Sequence, residues 1–150
     1  MSLFSVLSVS ASGMAAQRQR AELLVQNLAN SETTRTPEGG PYRRRDAIFE
    51  SAPQNSPFGS VFQAAFQNGV EAGAVEGVQV AEVIEDPSEG QKRYEPGHPD
   101  ADPDGYVTYP NINPAEDMVD LRSAQRGYEG NVAAMSAVKD MIQQSIDLLK

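Results

Sequence analysis

Three aspartates occupy every second position of one segment: Asp100, Asp102 and Asp104. Of all the residues in this sequence, they have the spacing most typical of a metal-binding or catalytic site. Together with Gly105 they match the opening of a calcium-binding loop. In such a loop the spaced carboxylates point oxygens at a hard cation, and the glycine permits a sharp turn. These residues therefore raise the hypothesis of a calcium-dependent binding module.

The rest of this segment does not match a calcium site. Asn111 stands where a bidentate glutamate is expected, and Pro103 stiffens the loop. His98, the only histidine, is not accompanied by a Gly-x-Ser-x-Gly elbow or by a second histidine at metal-ligand spacing. A solvated turn is the favoured interpretation. We predict no catalytic residue, no cofactor and no bound metal, and thus no enzyme.

The chain has 150 residues and a net charge of −9 that is unevenly distributed. Residues 1–45 carry six arginines against three glutamates, whereas residues 71–120 carry thirteen acidic residues against Lys92 and Arg93. Most of this surface would repel a phosphate backbone, so nucleic acid is not expected as a partner. Opposite charges in separate regions can attract copies of one chain head to tail, although such asymmetry commonly just keeps a surface solvated.

The sequence carries no membrane or disulfide signal. It has no cysteine, and no apolar run approaches the roughly 18–20 residues that cross a bilayer. Residues 1–17 are uncharged but interrupted by serines, and Arg18 and Arg20 follow them, whereas a secretory signal has its basic residues first. We predict no direct membrane insertion and no cleaved secretory signal.

The first thirty residues have the periodicity of an amphipathic helix. Apolar side chains recur at alternating steps of three and four, interrupted only by Arg18. They are Phe4, Leu7, Ala11, Met14, Ala21, Val25 and Leu28. A helix is predicted over residues 1–30, ended by the polar residues that follow and by Pro37.

The C-terminal segment repeats this pattern over residues 114–150. Pro114 suits a first helical turn, and Asn113 is a candidate cap. The helix would be roughly 50 Å long at 1.5 Å per residue, so its apolar seam needs another long helix. The seam consists of Met118, Leu121, Tyr128, Val132, Met135, Ile142, Ile146 and Leu149, with Gln125 and Lys139 as polar interruptions.

These two seams predict a mainly α fold with a small β portion, in which long terminal helices pack as a coiled coil. The two helices can pair within one chain as a hairpin core. Small residues such as Gly13 and Gly127 would also let helices of other copies approach closely. A soluble coiled-coil adaptor with a discrete number of chains is a further alternative.

Residues 31–113 are predicted to form an irregular middle region of a single unit that spans residues 1–150. Strands are predicted over residues 42–49, 77–84 and 105–109, forming a short antiparallel sheet. Residues 51–75 lack sustained periodicity, and a loop or a short helix over residues 62–66 is expected there.

Several segments resemble one family, the bacterial flagellar basal-body rod proteins. SASGMAAQR at residues 10–18 and NLANSETT at residues 27–34 are similar to a signature of rod and hook proteins. The segments that resemble the proximal-rod type in particular are RTPEGGPYRRR (35–45), YEPGHPDAD (94–102), GYVTYPNIN (105–113) and YEGN (128–131).

The resemblance implies a structural subunit of the proximal rod, which crosses the periplasm, transmits torque and surrounds the export channel. The terminal helices would assemble helically, with copies of the chain and other flagellar rod proteins as partners. The flagellar type III export apparatus would secrete the chain without a cleaved signal. The two seams would form the assembly interface, and Asn27, Asn30, Thr33 and Thr34 would form the junction after the first helix.

Overall fold

The N-terminal helix, α1, spans Leu3–Ala29 in a computed structural model that describes residues 3–53 and 76–148. The serines inside α1 are accommodated because their hydroxyls bond within the helix: Ser8 donates to the Ser5 carbonyl and Ser12 to the Val9 carbonyl. The helix ends where the Asn30 backbone N–H and side-chain amide both donate to the Gln26 carbonyl. The predicted helix and its end are confirmed.

Two strands follow, β1 over Arg45–Pro53 and β2 over Glu76–Glu85, and they pair antiparallel. Arg45 lies opposite Glu85 and Ile48 opposite Glu82, but Phe49 pairs with Val80, which leaves Ala81 as a one-residue bulge. The strand predicted over residues 42–49 begins later and runs further than expected. The strand predicted over residues 77–84 is confirmed.

A second hairpin consists of β3 over Gln91–Tyr94 and β4 over Tyr106–Tyr109. Gly105 has a φ of 80°, and an added Cβ would lie 2.9 Å from the Tyr94 ring, so the turn into β4 requires glycine. The middle region therefore contains two separate two-stranded sheets within the described residues, where one sheet was predicted. Strand β3 was not predicted.

The C-terminal helix, α2, spans Pro114–Asp147. The Asn113 side chain accepts a hydrogen bond from the Ala115 N–H at 3.2 Å, and Pro114 occupies the first turn, as predicted. Helices α1 and α2 pack against each other, and α1 also packs on the β1–β2 hairpin. The predicted short helix at residues 62–66 lies outside the described residues.

The two helices run antiparallel, as three contacts along them show. An added Cβ at Gly13 would lie 2.8 Å from the Asn131 amide nitrogen, and one at Gly127 would lie 3.2 Å from the Gln17 side chain. Further along, Arg20 lies 3.6 Å from Asp120. The paired numbers run in opposite directions, so the long terminal helices of the predicted fold form a hairpin within one chain. Coiled-coil packing through the predicted seams is not confirmed.

Candidate assembly interface

The three observed contacts between the helices, and the residues that continue them along each helix, involve side chains that are mostly small or polar. We call this set the inner stripe, and each of its members is buried or partly buried. On both helices its members follow one another at steps of three and four. It comprises Ser10, Gly13, Gln17, Arg20, Leu24 and Asn27 of α1, and Asp117, Asp120, Ala124, Gly127, Asn131, Ala134 and Val138 of α2.

The predicted apolar seams lie one residue after the inner stripe on both helices. Ala11 follows Ser10, Val25 follows Leu24, and Val132 follows Asn131. One residue rotates a helix by about 100°, so the seams lie beside the helix contact. The exposed seam residues are Ala11, Val25, Met118, Tyr128, Val132 and Ile146, and the partly buried ones are Leu7, Met14, Ala21, Leu28, Leu121, Met135 and Ile142. The interpretation that the seam residues fill the contact between the two helices is not confirmed.

Antiparallel geometry brings the two seams to the same side of the hairpin. Viewed from one end of the pair, each residue further along the chain rotates clockwise on the helix that runs away from the viewer and anticlockwise on the helix that runs towards the viewer. The inner-stripe residues of the two helices face each other. The residues that follow them by one, which are the seam residues, therefore lie on the same side of the helix pair. Val25 is 50% exposed on this side, and Val132 and Ile146 are 40% and 47% exposed. We call this side the seam face.

The β1–β2 hairpin lies against the other side of α1. The Ser12 hydroxyl accepts a hydrogen bond from the Val78 N–H at 3.1 Å, and Leu23 and Gln26 line a cleft with Val80. These α1 residues precede inner-stripe residues by one, whereas the seam residues follow them by one. Within residues 3–53 and 76–148, the hairpin therefore leaves the seam face uncovered.

Asn27 fixes the junction between α1 and β1. Its side chain is fully buried, and its amide nitrogen donates to the Arg45 carbonyl at 2.9 Å. Its oxygen accepts from the Arg45 N–H at 3.0 Å and from the Tyr42 hydroxyl at 3.1 Å. The amide thereby pairs with both backbone groups of one residue, and it holds the start of β1 against the end of the helix.

The other predicted junction residues continue this network. Thr33 donates through its hydroxyl to the Asn30 side chain at 3.2 Å, and the Thr33 carbonyl accepts from the Tyr42 N–H. Thr34 reaches much further along the chain and donates to the Asp100 carboxylate at 2.8 Å. The four predicted junction residues thus lie together, Asn27 in the last turn of α1 and the other three in the turn that follows it.

The same Asp100 carboxylate lies 3.5 Å from Arg35. Asp100 is therefore bound to the turn after α1. The backbone carbonyl of Asp102 accepts a hydrogen bond from the Gly105 N–H in a tight turn. Within residues 3–53 and 76–148, no group of three acidic or histidine side chains is arranged to hold a metal ion. The calcium-module hypothesis is not supported.

A buried ion pair ties α2 to the segment before β1. The Asp117 side chain is fully buried, and its Oδ1 lies 3.3 Å from the Arg44 guanidinium, which also contacts Asp46 at 3.4 Å. Burial raises the pKa of the Asp117 carboxyl, and the nearby Arg44 charge opposes this rise without cancelling it. The helix periodicity does not predict the burial of Asp117, because its partner lies in a distant segment.

Comparison with known proteins identifies the family. Residues 104–148 match the family model described as the C-terminal part of the flagellar basal-body rod FlgEFG proteins. The chain is 40% identical over 157 residues to the flagellar basal-body rod protein FlgC of Borreliella burgdorferi, covering 100% of this chain and 99% of that protein. It is also 40% identical over 154 residues to FlgC of Bacillus subtilis, with both chains fully covered.

This chain belongs to the FlgC family of flagellar basal-body rod proteins. A more distant relative, FlgC of an Escherichia coli O6:H1 strain, is 34% identical over 148 residues, covering 99% of this chain and 98% of that protein. Family membership makes the chain a structural protein of the basal-body rod and not an enzyme. None of its described helices is long and apolar enough to cross a membrane.

Proposed function

We propose that this FlgC-family chain builds the proximal rod by packing its seam face against terminal helices of neighbouring subunits. The observation that supports the proposal is the uncovered seam face itself, because the helix pair already closes through the inner stripe. Coiled-coil packing would then occur between subunits rather than within one chain. Completing the burial of half-exposed residues such as Val25, Val132 and Ile146 would contribute about 1 kcal/mol each.

The rest of the proposal follows from this architecture and from the family. A helical array of such subunits surrounds a channel, crosses the periplasm and transmits torque along the rod. Copies of the chain and other rod proteins are its neighbours, and the flagellar type III apparatus exports it without a cleaved signal. A coiled-coil adaptor would form a closed oligomer with a fixed number of chains. Contacts between two different patches need not close into a ring, so such an adaptor is disfavoured.

Val132→Asp tests the seam face. Val132 is 40% exposed in one subunit, so the variant should keep the circular dichroism spectrum and thermal stability of the parent chain. In a rod the new carboxylate would be buried without a partner, at a cost of several kcal/mol. We expect cells that produce the variant to yield no complete basal bodies in electron micrographs.

Ala137→Asp is the matched control. Ala137 lies on the same helix, is exposed and belongs to neither the seam nor the inner stripe. We expect this variant to leave assembly much less affected than Val132→Asp does. Normal basal bodies with Val132→Asp, or an equal loss with both variants, would contradict the proposed role of the seam face.

A further inference from the structure

The β1–β2 hairpin presents an acidic face with an apolar centre. Cross-strand pairing puts Ile48 and Glu82 on one face, and the alternation along each strand adds Glu50 and Ile84 to it. All four are exposed, and Ile48 and Ile84 are 43% and 42% exposed. Asp46, which pairs with Ile84, lies on the same face, so the face carries three carboxylates, of which, within the described residues, only that of Asp46 pairs with an arginine, Arg44. We call this surface the acidic hairpin face.

The side of α2 that points away from α1 has the complementary character. Val119 is 67% exposed there, and Arg122 and Arg126 follow it by three and seven residues, so the three share a surface on the helix. Arg122 and Arg126 are exposed and form no ion pair with any residue that the structure describes. We call this surface the basic helix face.

These two faces match each other in spacing as well as in charge. Four helical residues separate the two arginines by about 6 Å along the axis. On the hairpin, Glu82 lies directly opposite Ile48 and Glu50 lies two residues further along β1, so the two glutamates are diagonal neighbours about 7–8 Å apart. An aliphatic side chain accompanies each charged pair, which allows apolar contact between the charges.

The two faces do not meet within one chain. The described parts of α2 and of the β1–β2 hairpin do not pack against each other, since the hairpin packs on α1. Glu50 and Glu82 form no ion pair within the described residues. Two different and complementary patches on one chain favour a heterologous contact, which propagates from copy to copy without closing.

We infer that the acidic hairpin face of one subunit binds the basic helix face of a second copy of this chain. This inference rests on the proposed rod function and specifies a lateral contact between copies that does not involve the seam face. Charge complementarity of this kind determines orientation and partner choice more than affinity. Its role would be to select the register in which the seam faces then pack.

Cross-linking between two single-cysteine variants tests the contact directly, because the natural chain has no cysteine. Glu82→Cys and Arg122→Cys subunits are mixed under assembly conditions, oxidised mildly and resolved without reductant. We expect the mixture to form a disulfide-linked heterodimer in at least tenfold excess over either variant alone. The control mixture pairs Glu82→Cys with Gln143→Cys, an exposed position on α2 outside the basic helix face, and should give little heterodimer.

A charge exchange provides the second arm. The double variant Arg122→Glu, Arg126→Glu should reduce incorporation into rods about tenfold, because like charges then face each other. Adding Glu50→Arg and Glu82→Arg to the same chain should restore it, and circular dichroism checks that each variant folds. Normal rods from the double variant, or no restoration by the exchange, would overturn this contact and leave the proposed function intact. Failure of the unmodified chain to enter any rod would instead refute the proposed function.

Discussion

Replacing Asn27 by alanine should lower the stability of the fold more than replacing any of the other junction residues, Asn30, Thr33 or Thr34, by alanine. The substitution removes three hydrogen bonds at 2.9, 3.0 and 3.1 Å from a side chain that is fully buried. It leaves the N–H and carbonyl of Arg45 and the hydroxyl of Tyr42 without this partner. At about 1 kcal/mol for each bond, the loss is about 3 kcal/mol.

Urea denaturation of the purified chain, followed by circular dichroism, measures this loss as a change in the free energy of unfolding. A loss of about 3 kcal/mol corresponds to a fall in melting temperature of about 9 °C for a chain of this length. The denaturant slope should stay unchanged, because the surface exposed on unfolding is the same.

Asn30→Ala is the matched control, because it removes the same residue type from the same turn. The Asn30 side chain donates to the Gln26 carbonyl in an exposed bond, where water can replace it, and among the described residues it accepts only one further bond, of 3.2 Å, from the Thr33 hydroxyl. We expect a loss of at most about 1 kcal/mol. Equal losses for the two variants, or a loss below about 1 kcal/mol for Asn27→Ala, would refute the assignment of Asn27 as the anchor of β1.

Two further predictions concern buried charge and helix packing. Because the folded-state pKa of Asp117 is raised above its ordinary value of 3.8, its contribution to stability is complete below that pH and is lost as the pH rises through the folded pKa. Urea titrations from pH 4 to pH 7 should therefore show Asp117→Asn gaining stability relative to the parent chain as the pH rises; a constant difference would contradict this. Gly130→Ala should raise the free energy of unfolding by about 1 kcal/mol, since an added Cβ there meets nothing within 4 Å. Gly13→Ala should give no such gain, because its Cβ would lie 2.8 Å from Asn131; equal gains would show that the helices are not held this closely.

Helix boundaries were accessible from the sequence because they depend on local chemistry. Asn113 and Pro114 mark the start of α2 through capping and a fixed backbone angle, and both act over a few residues. Strand β2 was likewise predicted from its β-branched residues. Strand β3 was missed because its four residues are all exposed and include three polar ones, so they carry no alternating pattern.

The placement of the seams was harder to predict for a geometric reason. Periodicity identifies residues that share a helix face, but it does not say which face meets which partner. Here a second stripe of identical period, which includes Gly13, Gln17 and Arg20, makes the contact within the chain. Polar residues in such a contact are unexpected from hydrophobicity alone, and their partners lie about a hundred residues away in sequence.

The antiparallel pairing of α1 and α2 also decides where a label can be attached. Gly13 lies beside Asn131, so the first residues of α1 and the last residues of α2 lie at the same end of the helix pair. A fluorescent protein attached beside either of these helix ends would therefore crowd one and the same end of the helix pair. The exposed turn at Gly39 and Gly40 follows the opposite end of α1, and a small epitope inserted there would report on the other end.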